Sequence, residues 1–321
     1  MTFIKNIFLA LLVVIFFISC AQKKATGSLN DWMSNNGKIK ILSTIGQISD
    51  LVNEIGGERV DGLVLIRGEL DPHSYELVKG DGEKFARADL IFYNGLGLEH
   101  GASLSHLLQS SSNSVSLGEK IRFSSPEKIL YKDGIVDPHI WMDISLWQET
   151  IPFILESLIA KDPEGASYYI DRAARLTQVM EKAHLDVKNL LLNVPSEKRY
   201  LVTSHDAFRY FTRAYLADPG ELNWDERFAA PEGLAPDGQL SPIDIQNIID
   251  FLRTHHISVL FPESNVSRDS VSKIVSAGNE SGLHLRLCRQ SLCGDSLCGL
   301  SYLEMMRQNA EVISKHLLET N

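Results

Sequence analysis

Beyond residues 7–18 this 321-residue chain has no long apolar run, so nothing further along it has the length to cross a bilayer as a helix. It also has no cluster of lysine and arginine. With 31 basic against 41 acidic residues the formal charge is −10 at pH 7, which excludes the phosphate-neutralising surface of a nucleic-acid binder. No Gly-x-x-x-x-Gly-Lys loop is present to cradle nucleotide phosphates, so the chain cannot itself hydrolyse ATP in that way. Gly95-Leu96-Gly97 lacks the third glycine of a dinucleotide fingerprint. No His-Glu-x-x-His helix marks a zinc protease, and the four cysteines include no Cys-x-x-Cys pair.

The first twenty residues carry Lys5 as their only charge, followed by the apolar stretch Ile7 to Ile18 and then Ser19-Cys20. About a dozen apolar residues suit a secretory signal and are too few to span a membrane. Phe17-Ile18-Ser19-Cys20 is similar to a lipobox, which predicts cleavage before Cys20 and a lipid anchor on it. Residues 21–36, rich in Lys, Gly, Ser and Asn, read as a polar tether. Export places Cys288, Cys293 and Cys298 in an oxidising compartment. One disulfide and one free thiol are expected there, stapling the loop that carries Asp295, with the pairing left open.

The period of the apolar residues predicts an α/β fold. Strands are expected over 38–45, 63–66 and 88–93, with helices over 47–55 and 104–109. Strand alternating with helix calls for a mainly parallel sheet, and ligands of such sheets gather beyond the carboxyl ends of the strands. Helix follows over 145–160, and a long run without Gly or Pro predicts a helix over 166–192 with an apolar stripe through Tyr169, Ala173, Leu176, Val179, Met180, Leu185 and Leu190. Alternation then resumes: strands over 200–203, 257–261 and 283–288, helices over 207–215, 268–278 and 302–318, and a helix start at Ser241-Pro242 after a loop over 228–240.

Three phrases carry the chemistry: Asp71-Pro72-His73, Asp137-Pro138-His139 and Ser204-His205-Asp206, with Asp295 further on. Proline fixes its own φ and forces the preceding residue into extended geometry, so each Asp-Pro-His turns sharply and aims its imidazole. Three imidazoles and a carboxylate outline a site for a first-row metal. Asp71, Asp137 and Glu263 are the candidate acids behind those ligands, able to orient them or balance charge. Ligands must be deprotonated, so binding is expected to weaken below about pH 6. His100, His106, His184, His255, His256, His284 and His316 read as surface or packing residues, and Trp141 and Tyr93 as packing aromatics.

The order of these phrases, with Tyr93-Asn94-Gly95-Leu96-Gly97-Leu98-Glu99, Ile140-Trp141-Met142-Asp143, Phe261-Pro262-Glu263-Ser264-Asn265 and Gly294-Asp295-Ser296-Leu297, resembles the solute-binding proteins of manganese, iron and zinc ABC transporters, the TroA-like group. The resemblance runs from about residue 38 to the C-terminus. It implies two lobes, each a mainly parallel sheet flanked by helices, joined by one long rigid helix: lobes over 37–165 and 195–321, the linking helix over 166–194. It implies one divalent ion (Mn, Fe or Zn) held as transported cargo by His73 and His139 from the first lobe and His205 and Asp295 from the second. The short, His-free segment 110–117 tilts the expectation toward manganese or iron. The implied partners are a membrane permease and its ATPase, and the implied state a periplasmic monomer, lipid-anchored at Cys20. The rival readings are a secreted zinc hydrolase, with three ligands and a water, and a surface adhesin; no enzyme activity is expected.

Overall fold

Strand and helix alternate from residue 39 onward as the apolar period predicts. β1 (Ile39–Ser43), α1 (Gly46–Gly56), β2 (Val60–Val64), α2 (Asp81–Arg87), β3 (Leu90–Tyr93), α3 (Ala102–Ser110) and β4 (Ser114–Ser116) build a parallel sheet ordered β2-β1-β3-β4. In register, Ile41 lies opposite Gly62 on one side and Leu90 on the other. Both faces of β1 are covered, with Lys40 to Ser43 all buried. Lys40 sits in that strand because its ammonium reaches Asp61 at 2.6 Å. The computed structural model describes residues 29–236 and 240–319. The expected signal and Cys20 lie outside the described residues. Within the expected tether, Leu29–Met33 is a short helix, and a boundary between compact units falls after Ser34.

Beyond β4, α4 (Leu117–Ser124) is capped by Ser116, whose Oγ accepts from Glu119 N. An antiparallel hairpin of β5 (Tyr131–Lys132) and β6 (Ile135–Val136) then leads into Asp137. α5 (Ile151–Lys161) and the 27-residue α6 (Ala166–Leu192) follow. At 1.5 Å per residue α6 is roughly 40 Å long. Its buried residues are Tyr169, Ala173, Met180, Val187 and Leu191, at steps of four and seven. Val179 and Leu185, expected in that stripe, face solvent at 54% and 57% exposure. Val179 is turned roughly 100° from Met180 around the axis, which takes it off the buried seam.

The second half is built on shorter strands: β7 (Leu201–Val202), β8 (Phe228–Ala229), β9 (Val259–Leu260) and β10 (Arg286–Leu287), with α7 (Pro242–Thr254), α8 (Asp269–Glu280) and α9 (Tyr302–Glu319) between and after them. β7 pairs with β8 and β9 with β10, both in parallel, and Phe261 N donates to Val202 O at 2.8 Å to tie the pairs together. Ser241 and Asp244 form a reciprocal capping box at the start of α7.

One apolar core runs from Ile41 and Phe92 through Trp141, Met180 and Leu201 to Phe261 and Met305, so the two lobes and α6 share it. A second core, around Val202, Leu252, Leu260 and Ile274, serves the second lobe alone. Swinging the lobes apart would expose shared apolar surface at about 25 cal/mol per Å². No described helix is long and apolar enough to cross a membrane.

Candidate metal centre

Each expected ligand sits just beyond an element that aims it. His73 lies in the turn after β2, where Asp71 Oδ1 accepts from His73 N at 2.9 Å and Oδ2 from Ser74 Oγ at 2.5 Å. Asp71 therefore fixes the turn and leaves the ring untouched. His139 follows the β5–β6 hairpin, an antiparallel element outside the parallel sheet. Asp137 Oδ1 accepts from His139 N at 3.0 Å and stands 2.8 Å from its ring Nδ1. His205 follows β7, with Glu263 Oε1 accepting from His205 N and Glu263 Oε2 2.9 Å from its Nδ1. Asp137 and Glu263 thus stand behind two of the three imidazoles in the same way.

The four tips converge. His73 Nε2 lies 3.2 Å from His139 Nε2, while Asp295 lies 3.3 Å from His205 Nε2, 3.5 Å from His139 Nε2 and 3.8 Å from His73 Nε2. One donor atom from each residue falls within 4.8 Å of all the others, and all four residues are buried. Around a tetrahedral ion with bonds of ~2.0–2.1 Å, donor atoms stand about 3.3 Å apart. The spacing therefore suits a single first-row cation with little rearrangement. Asp295 Oδ1 and both ring nitrogens of His205 are buried without an aligned hydrogen bond, although carboxylate oxygens approach both nitrogens at ion-pair distance. Such orphaned polar atoms are costly unless something charged joins them.

Charge in the centre is coupled. Burial would raise the Asp295 carboxyl, but His205, His73 and His139 outweigh it and hold it below the usual carboxylate range. Burial likewise opposes a proton on His205, yet Glu263 and Asp295 prevail and lift that imidazole well above its ordinary value. Burial dominates at His73, which drops to about 3.

Sequence reasoning left several supporting residues without a role. Asn265 Nδ2 donates to Asp295 Oδ2 at 2.9 Å. Asn94 Nδ2 donates to the carbonyl of Pro138, the residue before His139. Trp141, expected only to pack, is fully buried and also donates from Nε1 to Gly294 O. Asn309 grips Cys293 through both its backbone N and O. Asn94 and Asn265 stand inside the phrases that carry the resemblance, which was the signal available. The disulfide joins Cys293 to Cys298 around Asp295 and leaves Cys288 free and buried. Gly294 permits a close approach at the centre: a Cβ there would stand 2.3 Å from Glu263 Oε2.

The family model described as zinc-uptake complex component A, periplasmic (ZnuA) matches residues 41–316. The chain belongs to the ZnuA family. Among ZnuA-like relatives, the metal-binding protein YtgA of Chlamydia pneumoniae is 41% identical over 94% of this chain and 92% of its own length. The manganese ABC transporter substrate-binding lipoprotein PsaA of Streptococcus pneumoniae is 29% identical over 96% of this chain and 97% of its own. Crystalline Fe(III)-bound YtgA from Chlamydia trachomatis superposes with a TM-score of 0.83 at 36% identity, covering 86% of this chain and 97% of that one. The periplasmic zinc-binding protein TroA of Treponema pallidum superposes with a TM-score of 0.78 at 30% identity, covering 88% and 99%. The two-lobed TroA-like fold expected from the resemblance is therefore the fold of this chain.

Proposed function

We propose that this chain is an extracytoplasmic solute-binding protein that captures one ion of manganese, iron or zinc at His73, His139, His205 and Asp295 and delivers it to an ABC permease driven by a separate ATPase. The observation that carries this reading is the meeting of four buried donor atoms within 4.8 Å. Asp137 and Glu263, held against the Nδ1 atoms of His139 and His205, keep protons on those nitrogens and turn the Nε2 lone pairs toward the cargo. Together with Asp295 they supply three carboxylates to balance a multiply charged ion. Three imidazoles and one carboxylate accept Mn, Fe and Zn alike, with affinity rising along the Irving–Williams series, so selection among them rests on supply as well as on the site. The same reading takes lobes over 37–165 and 195–321 with the linking helix over 166–194, a lipid anchor on Cys20, and a monomer.

Because the lobes share a core, release proceeds by local shifts of His205 and the Asp295 loop. Elemental analysis of protein purified under native metal supply tests the proposal: one tightly held ion per chain is expected, lost in His139→Ala and Asp295→Ala. Steady hydrolysis of a peptide or ester that tracks zinc content would overturn it in favour of a hydrolase.

A further inference from the structure

One more imidazole stands beside the centre. His100 is exposed, and its ring centroid lies 5.9 Å from that of His73. Its Nδ1 is 3.1 Å from Gly97 O. A carbonyl can only accept, so Nδ1 carries the proton and the neutral ring keeps a free lone pair on Nε2. That is the tautomer a metal ligand needs. The loop holding it is preset: the carboxylate of buried Glu99, the preceding residue, accepts from Thr44 Oγ1, Asn94 N and Gly95 N.

His73, facing it, differs from the other two imidazoles. Its side chain is 3% exposed, whereas those of His139 and His205 are fully covered. No carboxylate stands behind it among the described residues; its contact with Asp295 runs through Nε2, the atom aimed into the centre. The ring nearest solvent is thus also the one least fixed, and it is the one beside the fourth imidazole, that of His100. A hydrated ion exchanges its water for four buried donors stepwise, and an imidazole outside them can hold it part-way.

We propose that His100 is a transient outer ligand for the same cation, forming with His73 a solvent-side way station through which metal enters and leaves. This rests on the metal-capture reading above. The test uses the full chain with zinc(II) as probe: stopped-flow loading, and transfer of bound zinc to excess EDTA. Relative to wild type, His100→Ala is expected to load and surrender zinc ~3-fold or more slowly, with Kd changed by less than about 2-fold, because a way station slows both directions alike. His106→Ala, another exposed histidine on α3, is expected to leave both rates unchanged. Unchanged rates in His100→Ala overturn the inference. So does a larger change in Kd, which would make His100 a ligand of the final site. If wild type holds no zinc, the metal-capture reading fails; if it does and His139→Ala loses it while His100→Ala exchanges normally, this inference alone fails.

Discussion

The indole nitrogen of Trp141 donates to the carbonyl oxygen of Gly294 across 2.9 Å, binding the turn that carries His139 to the loop that carries Asp295. The two ends are 153 residues apart in sequence, and Trp141 O in turn accepts from Tyr302 OH at 2.6 Å. Trp141→Phe keeps an aromatic ring but gives up part of the buried volume and leaves Gly294 O without its donor. A loss of about 1–2 kcal/mol in stability is expected from the unmet buried carbonyl, read by denaturant titration. Metal affinity should fall with it, since the line from ligand to ligand is cut.

Asp137→Asn and Glu263→Gln remove charge from behind His139 and His205 without deleting a donor atom. Each is expected to weaken metal binding by about 10- to 100-fold, as measured by competition with a chromophoric chelator. Asp71→Asn should act more weakly, because Asp71 fixes the turn of His73 and never touches the ring.

Proton release should follow His205 and His73 unequally. Metal-free His205 is raised, so it carries a proton at neutral pH that the ion must displace; His73, at about 3, is already neutral. Affinity is therefore expected to rise with pH until the raised value of His205 is passed. Near pH 6.5 metal binding should release the proton of His205, read by calorimetry in buffers of different ionisation enthalpy. The stability linkage has the matching sign. A raised histidine stabilises the metal-free fold fully below its unfolded value near 6.5, and that contribution fades as pH climbs through the folded value. The gap in Tm between loaded and metal-free protein should widen over that range.

Reduction of Cys293–Cys298 should loosen the loop around Asp295 while leaving the rest of the fold in place. Losing so short a closed loop costs about 2 kcal/mol on a chain-entropy basis. Weaker metal retention in Cys298→Ser than in wild type, with unchanged far-UV circular dichroism, is the expected result.

Glu69 reaches from the first lobe to Ser296, whose Oγ donates to it at 2.8 Å beside Asp295. Glu69→Ala should speed loss of bound zinc to a chelator by about 2- to 5-fold, the share of one charged hydrogen bond partly open to water. Equal loss rates in wild type and variant would show that this contact does not restrain the loop.

Much of this was written locally. α6 begins and ends where a run free of Gly and Pro does, between Gly165 and Pro195, and the Asp-Pro-His turns are set by covalent neighbours. The helix expected from Ala207 instead starts at Arg209 and widens into a π-turn over Thr212–Leu216, as turns beside functional residues often do. The β5–β6 hairpin had a legible signal in Asp133-Gly134, both at positive φ, that periodicity could not register in two-residue strands. β8, also two residues long, hides in a loop for the same reason. Equal five-residue steps gave Cys293 no preference between its neighbours. The ties that complete the centre, Glu263 to His205 and Trp141 to Gly294, join residues that only folding brings together.

At position 294 the chain has no side chain, and Glu263 occupies the space a methyl group would fill. On the proposed reading, metal capture accordingly depends on an atom that is not there. A one-carbon insertion at that point deletes no ligand and alters no charge, yet it would pry the acid off its histidine and blunt the clasp. Any survey of natural variants that scores only the four donors would pass such a lesion as harmless.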